Sequence, residues 1–136
     1  MENMERKDTN AILEVENLVK DFPLKQTYSD TNSKILKAVN NVSFSLQKGE
    51  TLGIVGESGC GKSTLARCIL RLIEPTKGKV KFLGKNICSI PKEEMRQLRK
   101  KIQIIFQDPF STLNSKMTVG KIISEPWAIF RDIVPK

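Results

Sequence analysis

Nine consecutive residues, Gly56-Glu57-Ser58-Gly59-Cys60-Gly61-Lys62-Ser63-Thr64, constrain this chain more than any other stretch. Gly56, Gly61, Lys62 and Ser63 fall on the defining places of the phosphate-binding pattern G-x-x-x-x-G-K-[ST]. Glycines let a backbone curl until successive N–H groups point inward. A helix that starts where the curl ends adds its own free N–H groups and its positive dipole end. That arrangement suits the crowded oxygens of a triphosphate. Lys62 is placed to reach the β- and γ-phosphates, and the Ser63 hydroxyl to ligate Mg²⁺. Such a loop needs a strand before it and a helix after it. The apolar run Thr51-Leu52-Gly53-Ile54-Val55 predicts a buried strand. Leu65, Ile69 and Ile73, with Ala66 and Leu70 beside them, predict one helical stripe. The alternative is an ordinary glycine-rich turn, and both flanks speak against it.

Length and composition narrow the field. At 136 residues with 39% hydrophobic content, the chain has the material for about one globular domain. No apolar run approaches the roughly 20 residues needed to cross a bilayer. The first ten residues are polar and mixed in charge, without the apolar stretch of a secretory signal. A cytoplasmic location follows, unless a partner holds the chain at a membrane. The net charge is +8, with a local basic concentration at Arg96, Arg99, Lys100 and Lys101. No aromatic residues interleave with those charges, so a solvated helix face is preferred over a nucleic-acid or anionic-membrane surface. Cys60, Cys68 and Cys88 are too widely spaced for a C-x-x-C site, there is no histidine, and free thiols are expected. Cys60 differs from the others in lying inside the phosphate loop.

The rest of the chain reads as alternating α and β segments. Residues 1–11 form a tail. Ile12 to Glu16 is β-prone, and Phe22-Pro23 closes that segment. Lys25 to Lys34 is polar enough for an exposed loop. Val42, Phe44 and Leu46 alternate as a second strand, and Lys48-Gly49-Glu50 turns toward the phosphate loop. Pro75-Thr76-Lys77-Gly78 signals a turn, followed by a half-exposed strand with Val80 and Phe82 against Lys79 and Lys81. Pro91 opens a polar helix from Lys92 to Lys101. Ile102-Gln103-Ile104-Ile105-Phe106 predicts a buried strand. Thr118 is placed to cap a helix from Val119 to Ser124, with Pro126 limiting it. An apolar run that ends in Asp108 also has the look of a Walker B strand, but Gln107 intervenes and Pro109 follows.

Taken in order, residues 12–130 resemble the ATP-binding subunit of ABC transporters. Gly56 to Thr64 matches the family's Walker A loop. Ile104-Ile105-Phe106-Gln107-Asp108-Pro109 resembles its Q-loop, and Phe22 lies where the family sets an aromatic ring against adenine. Gly-Glu-Ser-Gly-Cys-Gly-Lys-Ser-Thr at 56–64, Phe-Gln-Asp-Pro-Phe-Ser-Thr-Leu-Asn at 106–114 and Ile123-Ser124-Glu125-Pro126 are similar to the oligopeptide/dipeptide importer branch. The related ATPases of nickel importers are close to it. The resemblance implies an α/β fold, a P-loop NTPase of ABC type with an antiparallel β region beside its core sheet. It implies ATP and Mg²⁺ as cofactors. Gly56, Ser58, Gly59, Cys60, Gly61 and Lys62 would hold phosphates, and Thr64 would lie on the α-phosphate side. Ser63 and Gln107 would serve Mg²⁺, Gln107 also positioning the attacking water, and Phe22 would stack on adenine. The implied partners are transmembrane permease subunits and a second ATPase subunit, not nucleic acid, with the chain peripheral at the inner face of the cell membrane.

Some family features have no counterpart here. No Leu-Ser-Gly-Gly-Gln-like signature occurs, no second apolar strand ends in Asp-Glu, and no histidine is available as a switch residue. Residues 12–136 therefore resemble a truncated ATP-binding domain with an incomplete core sheet. The expected role is the ATP-binding part of an ATPase that powers peptide import, with this chain alone inactive in hydrolysis. A nucleotide-binding remnant without function, a nickel-importer ATPase, and a P-loop switch or kinase unrelated to transport are the competing readings. The Q-loop run weighs against the last.

Overall fold

The structure is a computed structural model, and it describes residues 11–24, 34–108 and 112–130. Residues 1–10, most of the polar loop after Leu24, and Pro109 and Phe110 of the Q-loop run lie outside the described residues. The chain divides into two compact units between Gln103 and Ile104. The first holds a four-stranded antiparallel sheet in the order β2-β1-β3-β4. Its strands are β1 (Ala11–Pro23), β2 (Ile35–Gln47), β3 (Lys77–Phe82) and β4 (Lys85–Asn86). Two helices accompany it, α1 (Lys62–Ile69) and α2 (Lys92–Leu98). The second unit carries α3 (Val119–Ile129).

β1 and β2 are both 13 residues long, longer than the sequence pattern suggests. Irregularities in register let them stay paired. Around Asn17 the extra residue lies in β1; near Asn41 it lies in β2. Both asparagines take positive φ, at 47° and 53°. Asparagine tolerates the left-handed region better than most residues because its short polar side chain bonds locally. The Asn17 side chain is held by Ser43 of β2: the Ser43 hydroxyl donates to Asn17 Oδ1 at 3.3 Å, and the same Oγ accepts from the Asn17 backbone N–H at 2.7 Å. The extra residues shift the inward face, so Val15 and Leu18, three apart, are both buried. Val39 and Val42 likewise face inward.

One face of the sheet carries the core. Val15, Leu18, Val39, Val80 and Phe82 are buried there with Leu65 and Cys68 of α1, Ile87, and Met95 of α2. β3 keeps its expected alternation, Val80 and Phe82 inward and Lys79 exposed. Gly78, at φ +94°, allows β3 to approach β1 closely: a Cβ there would stand 2.5 Å from the Asn17 carbonyl oxygen.

Five expectations about regular structure need correction. Thr51–Val55 is extended but pairs with no strand among the described residues, and Val55 is 93% exposed. Ile102–Phe106 is likewise unpaired, with Ile105 at 94%. A strand exists only through its neighbour's hydrogen bonds, and these apolar runs have no ladder partner among the described residues. α1 ends at Ile69 rather than reaching Ile73, because Arg71 turns left-handed; Ile73 still packs against the core. α3 runs through Pro126 to Ile129. Proline removes one N–H from the ladder, and beyond it the Phe130 N–H again donates to the Pro126 carbonyl at 2.8 Å. The Thr118 cap is present: its Oγ1 accepts from the Lys121 N–H at 3.4 Å. α2 stops at Leu98, three residues early, with Pro91 preceding it at the N-cap.

Candidate functional site

The glycine-rich loop leads directly into α1. Gly59 and Gly61 take φ of +82° and +100°. Gly61 is the N-cap of α1, and the first helical bond runs from the Leu65 N–H to the Gly61 carbonyl at 2.8 Å. A Cβ on Gly61 would stand 2.1 Å from the Ala38 carbonyl oxygen, so only glycine fits where the loop passes β2. The N–H groups of Lys62, Ser63 and Thr64 precede that first bond, and no side chain caps them. No acidic residue stands in the first turn of α1. The helix start thus presents unsatisfied donors and a positive dipole end to an anion.

Lys62 closes the loop on itself. Its Nζ donates to the carbonyls of Gly56 at 2.7 Å and Glu57 at 2.6 Å, and lies 3.5 Å from Cys60 Sγ. Gly56, Glu57, Cys60 and Lys62 are therefore gathered around one ammonium. Ser58 and Ser63 are exposed and Thr64 is half-buried. The donor set fits a polyphosphate: one cation, a run of loop N–H groups, and a helix start without a competing carboxylate. Ser63 offers a hydroxyl of the kind that Mg²⁺ accepts. No cluster of three or more His, Cys, Asp or Glu that could hold a metal by itself occurs among the described residues.

Phe22 lies near the end of β1, opposite Leu36 of β2. Leu36 is two residues from Ala38, whose carbonyl touches the Gly61 position. That is about 7 Å of strand rise along β2. One face of the ring is covered by Lys20, whose Nζ is 4.9 Å from the centroid. The same ammonium donates to the Glu74 carbonyl at 2.9 Å, a contact that sequence spacing alone does not signal. Gln107 is exposed in the second unit.

The three cysteines are free thiols. Cys60 is exposed in the loop, and Cys68 is buried on the core-facing side of α1. Burial pushes the Cys68 and Cys88 thiols above their ordinary range.

The family described as ABC transporter matches residues 39–133. The chain is 50% identical over 118 residues to a probable peptide ABC transporter ATP-binding protein, y4tS, of Sinorhizobium fredii, covering 87% of this chain and 33% of that protein. It is 49% identical to the oligopeptide transport ATP-binding protein AppF of Bacillus subtilis, covering 86% of this chain and 36% of that one. Against OppF of Salmonella typhimurium the identity is 49%, with 85% and 35% covered. The chain thus spans about a third of the length of these curated relatives. Among solved structures, the dimeric ATP-binding cassette MJ0796 bound to ADP and Pi is similar at a TM-score of 0.71 and 25% identity. The match covers 91% of this chain and 50% of that one.

Proposed function

This chain belongs to the ABC transporter family, and on that premise we propose that it is the ATP-binding part of an ATPase subunit that powers import of oligopeptides or dipeptides. The observation that carries the reading is the loop itself: a left-handed Gly61 leading an uncapped helix, with Lys62 folded over the carbonyls of Gly56 and Glu57. Names of relatives about half identical to this chain supply the substrate class.

In this reading the N–H groups from Gly56 to Gly61, including those of Ser58, Gly59 and Cys60, cradle the phosphates, and Thr64 faces the α-phosphate side. Lys62 exchanges its carbonyl partners for phosphate oxygens, a stronger charge-assisted bond. Mg²⁺, when bound, neutralises β- and γ-phosphate charge. The Ser63 hydroxyl and the Gln107 side chain are the groups that would hold it, and Gln107 also orients water. The face of Phe22 opposite Lys20 stacks on adenine. The partners are transmembrane permease subunits and a second ATPase subunit, with the chain at the cytoplasmic face of the membrane.

Calorimetry with Mg-ATP tests the reading. The wild-type chain is expected to bind, and Lys62→Ala to show no measurable heat of binding. Equal affinity in both would remove the phosphate-loop assignment.

A further inference from the structure

The ending of α1 contains a residue of the wrong type for its backbone. Arg71 sits at φ +50°. Its N–H donates to the Cys68 carbonyl at 3.0 Å, and the Leu72 N–H donates to the Arg67 carbonyl at 2.8 Å. Those two bonds define a Schellman ending, in which glycine is the usual left-handed residue. A side chain with a Cβ is disfavoured there. The side chain offsets that cost through its own bonds. Arg71 Nε donates to Glu74 Oε1 at 2.8 Å, and one terminal nitrogen donates to the carbonyls of Ile87 at 3.0 Å and Ile90 at 2.7 Å. The guanidinium is thereby fixed, with its side chain only 17% exposed.

That guanidinium helps to wall a pocket of about 330 Å³, lined also by Glu74, Lys92, Met95 and Arg99. The volume falls at the lower end of the ~300–1,000 Å³ usual for small-molecule sites. Lys92, Met95 and Arg99 stand at i, i+3 and i+7 along α2 and its C-cap, and so share one face. Buried Met95 lies between the two basic side chains. Neither the Lys92 nor the Arg99 side chain forms an ion pair or hydrogen bond among the described residues. The lining carries three cations and one carboxylate, and that carboxylate is already bonded to Arg71.

We infer that this pocket, separate from the phosphate loop, binds a small organic anion that carries a phosphoryl or carboxylate group. Arg71 supplies a preset wall, and Lys92 and Arg99 supply adjustable charge. Met95 offers apolar contact to the carbon part of the ligand. Charge-assisted bonds from several donors to one anion are stronger than neutral ones. Glu74 at the rim repels heavily charged ligands, so one or two negative charges suit the pocket best.

The full chain carrying Lys62→Ala tests this, because the altered phosphate loop then competes little for the probe. The Met95 methyl resonance is followed by NMR during titration with inorganic phosphate and, separately, with succinate; the Met117 methyl serves as reference. A saturable Met95 shift with phosphate only identifies a phosphoryl site, and one with succinate only identifies a carboxylate site. Response to both indicates either group. Lys92→Gln with Arg99→Gln is expected to weaken the affinity at least about tenfold, and each single change to weaken it in part. Lys92→Arg with Arg99→Lys is expected to keep most of it. An unsaturable shift with both probes overturns the inference, and so does equal affinity in the neutralised double variant. The dispersed Met95 resonance reports that each variant is folded.

Discussion

Two apolar β-type segments of this chain meet opposite fates. In β3, Val80 is fully buried between β1 and β4 and packs against the core. In Thr51–Val55, just before the phosphate loop, Val55 is 93% exposed and no ladder forms. Their sequences are similarly β-prone. What separates them is the neighbour. β3 finds β1 on one side and, at Lys81 and Phe82, β4 on the other, so ladder bonds hold it and its inward side chains are covered. The run before the loop has side chains suited to burial and no strand beside it among the described residues. Among the described residues the phosphate loop is held through Gly61 against Ala38 and α1 against the sheet.

The largest expected effect sets these two regions against each other. Leu18 is fully buried at the centre of the cluster. Leu18→Ala is expected to lower unfolding free energy by about 2–5 kcal/mol, the usual result of a core cavity. Val55→Ala is expected to stay within about 0.5 kcal/mol, as exposed positions do. Urea titrations of both variants measure the difference. A Val55→Ala loss as large as that of Leu18→Ala would break the comparison, because it would mean that the run is packed in solution.

The phosphate loop and the antiparallel region were largely legible in the sequence, for local reasons. The spacing of Gly56, Gly61, Lys62 and Ser63 dictates a loop-to-helix turn, and α1 does start at Lys62. Val80 and Phe82 announced their face by simple alternation. The lengths of β1 and β2 were hidden because Asn17 and Asn41 break the two-residue period. Val15 with Leu18, and Val39 with Val42, then carry a three-residue spacing that no regular strand produces. The early end of α1 was hidden as well. It depends on Arg71 bonding to Ile87 and Ile90, which lie 16 and 19 residues away. Thr51–Val55 and Ile102–Phe106 were misread for the opposite reason. Their composition suits strands, but composition does not supply a partner. The roles of Phe22, Ser63 and Gln107 rest on resemblance, since each is an ordinary residue until a ligand is beside it.

A middle-sized effect is expected in the thiols, which sample the same two environments. Cys60 is exposed in the loop beside Lys62, and Cys68 is buried in the core with its thiol pushed up by burial. The thiolate is the reactive species. Cys68 is thus disfavoured twice, by access and by protonation. Maleimide labelling followed by peptide mapping is expected to modify Cys60 more than about tenfold faster than Cys68, a difference of roughly 1.4 kcal/mol or more. Mg-ATP is expected to slow labelling at Cys60 and to leave Cys88 unchanged. Comparable rates at Cys60 and Cys68 would show that the core opens as readily as the loop.

The smallest effect belongs to the solvent face of the paired sheet. Lys81 of β3 bonds to Glu16 of β1 across the strands and lies 3.5 Å from Glu14. The Lys81 ammonium holds the Glu16 carboxyl below its ordinary range, with Lys79 adding to the pull. The two carboxylates, Glu16 first, hold the Lys81 ammonium above its own range. A carboxyl whose folded value is depressed stabilises the fold above its unfolded value, about pH 4, and loses that contribution as pH falls through the folded value. A lysine whose folded value is raised contributes fully below about pH 10 and loses that contribution as pH rises through its folded value. The pair is therefore intact across neutral pH and fades at both extremes. Both groups are more than a quarter exposed, so solvent screening keeps the contribution small. Urea midpoints of wild type and Glu16→Gln are expected to differ slightly at pH 7, to draw together as pH falls below about 4, and to converge once pH has passed through the depressed folded value, where the native carboxyl is protonated. A gap that persists unchanged at pH 3 would mean that Glu16 acts through packing or backbone preference rather than charge. The paired sheet would then owe its stability to its buried face alone.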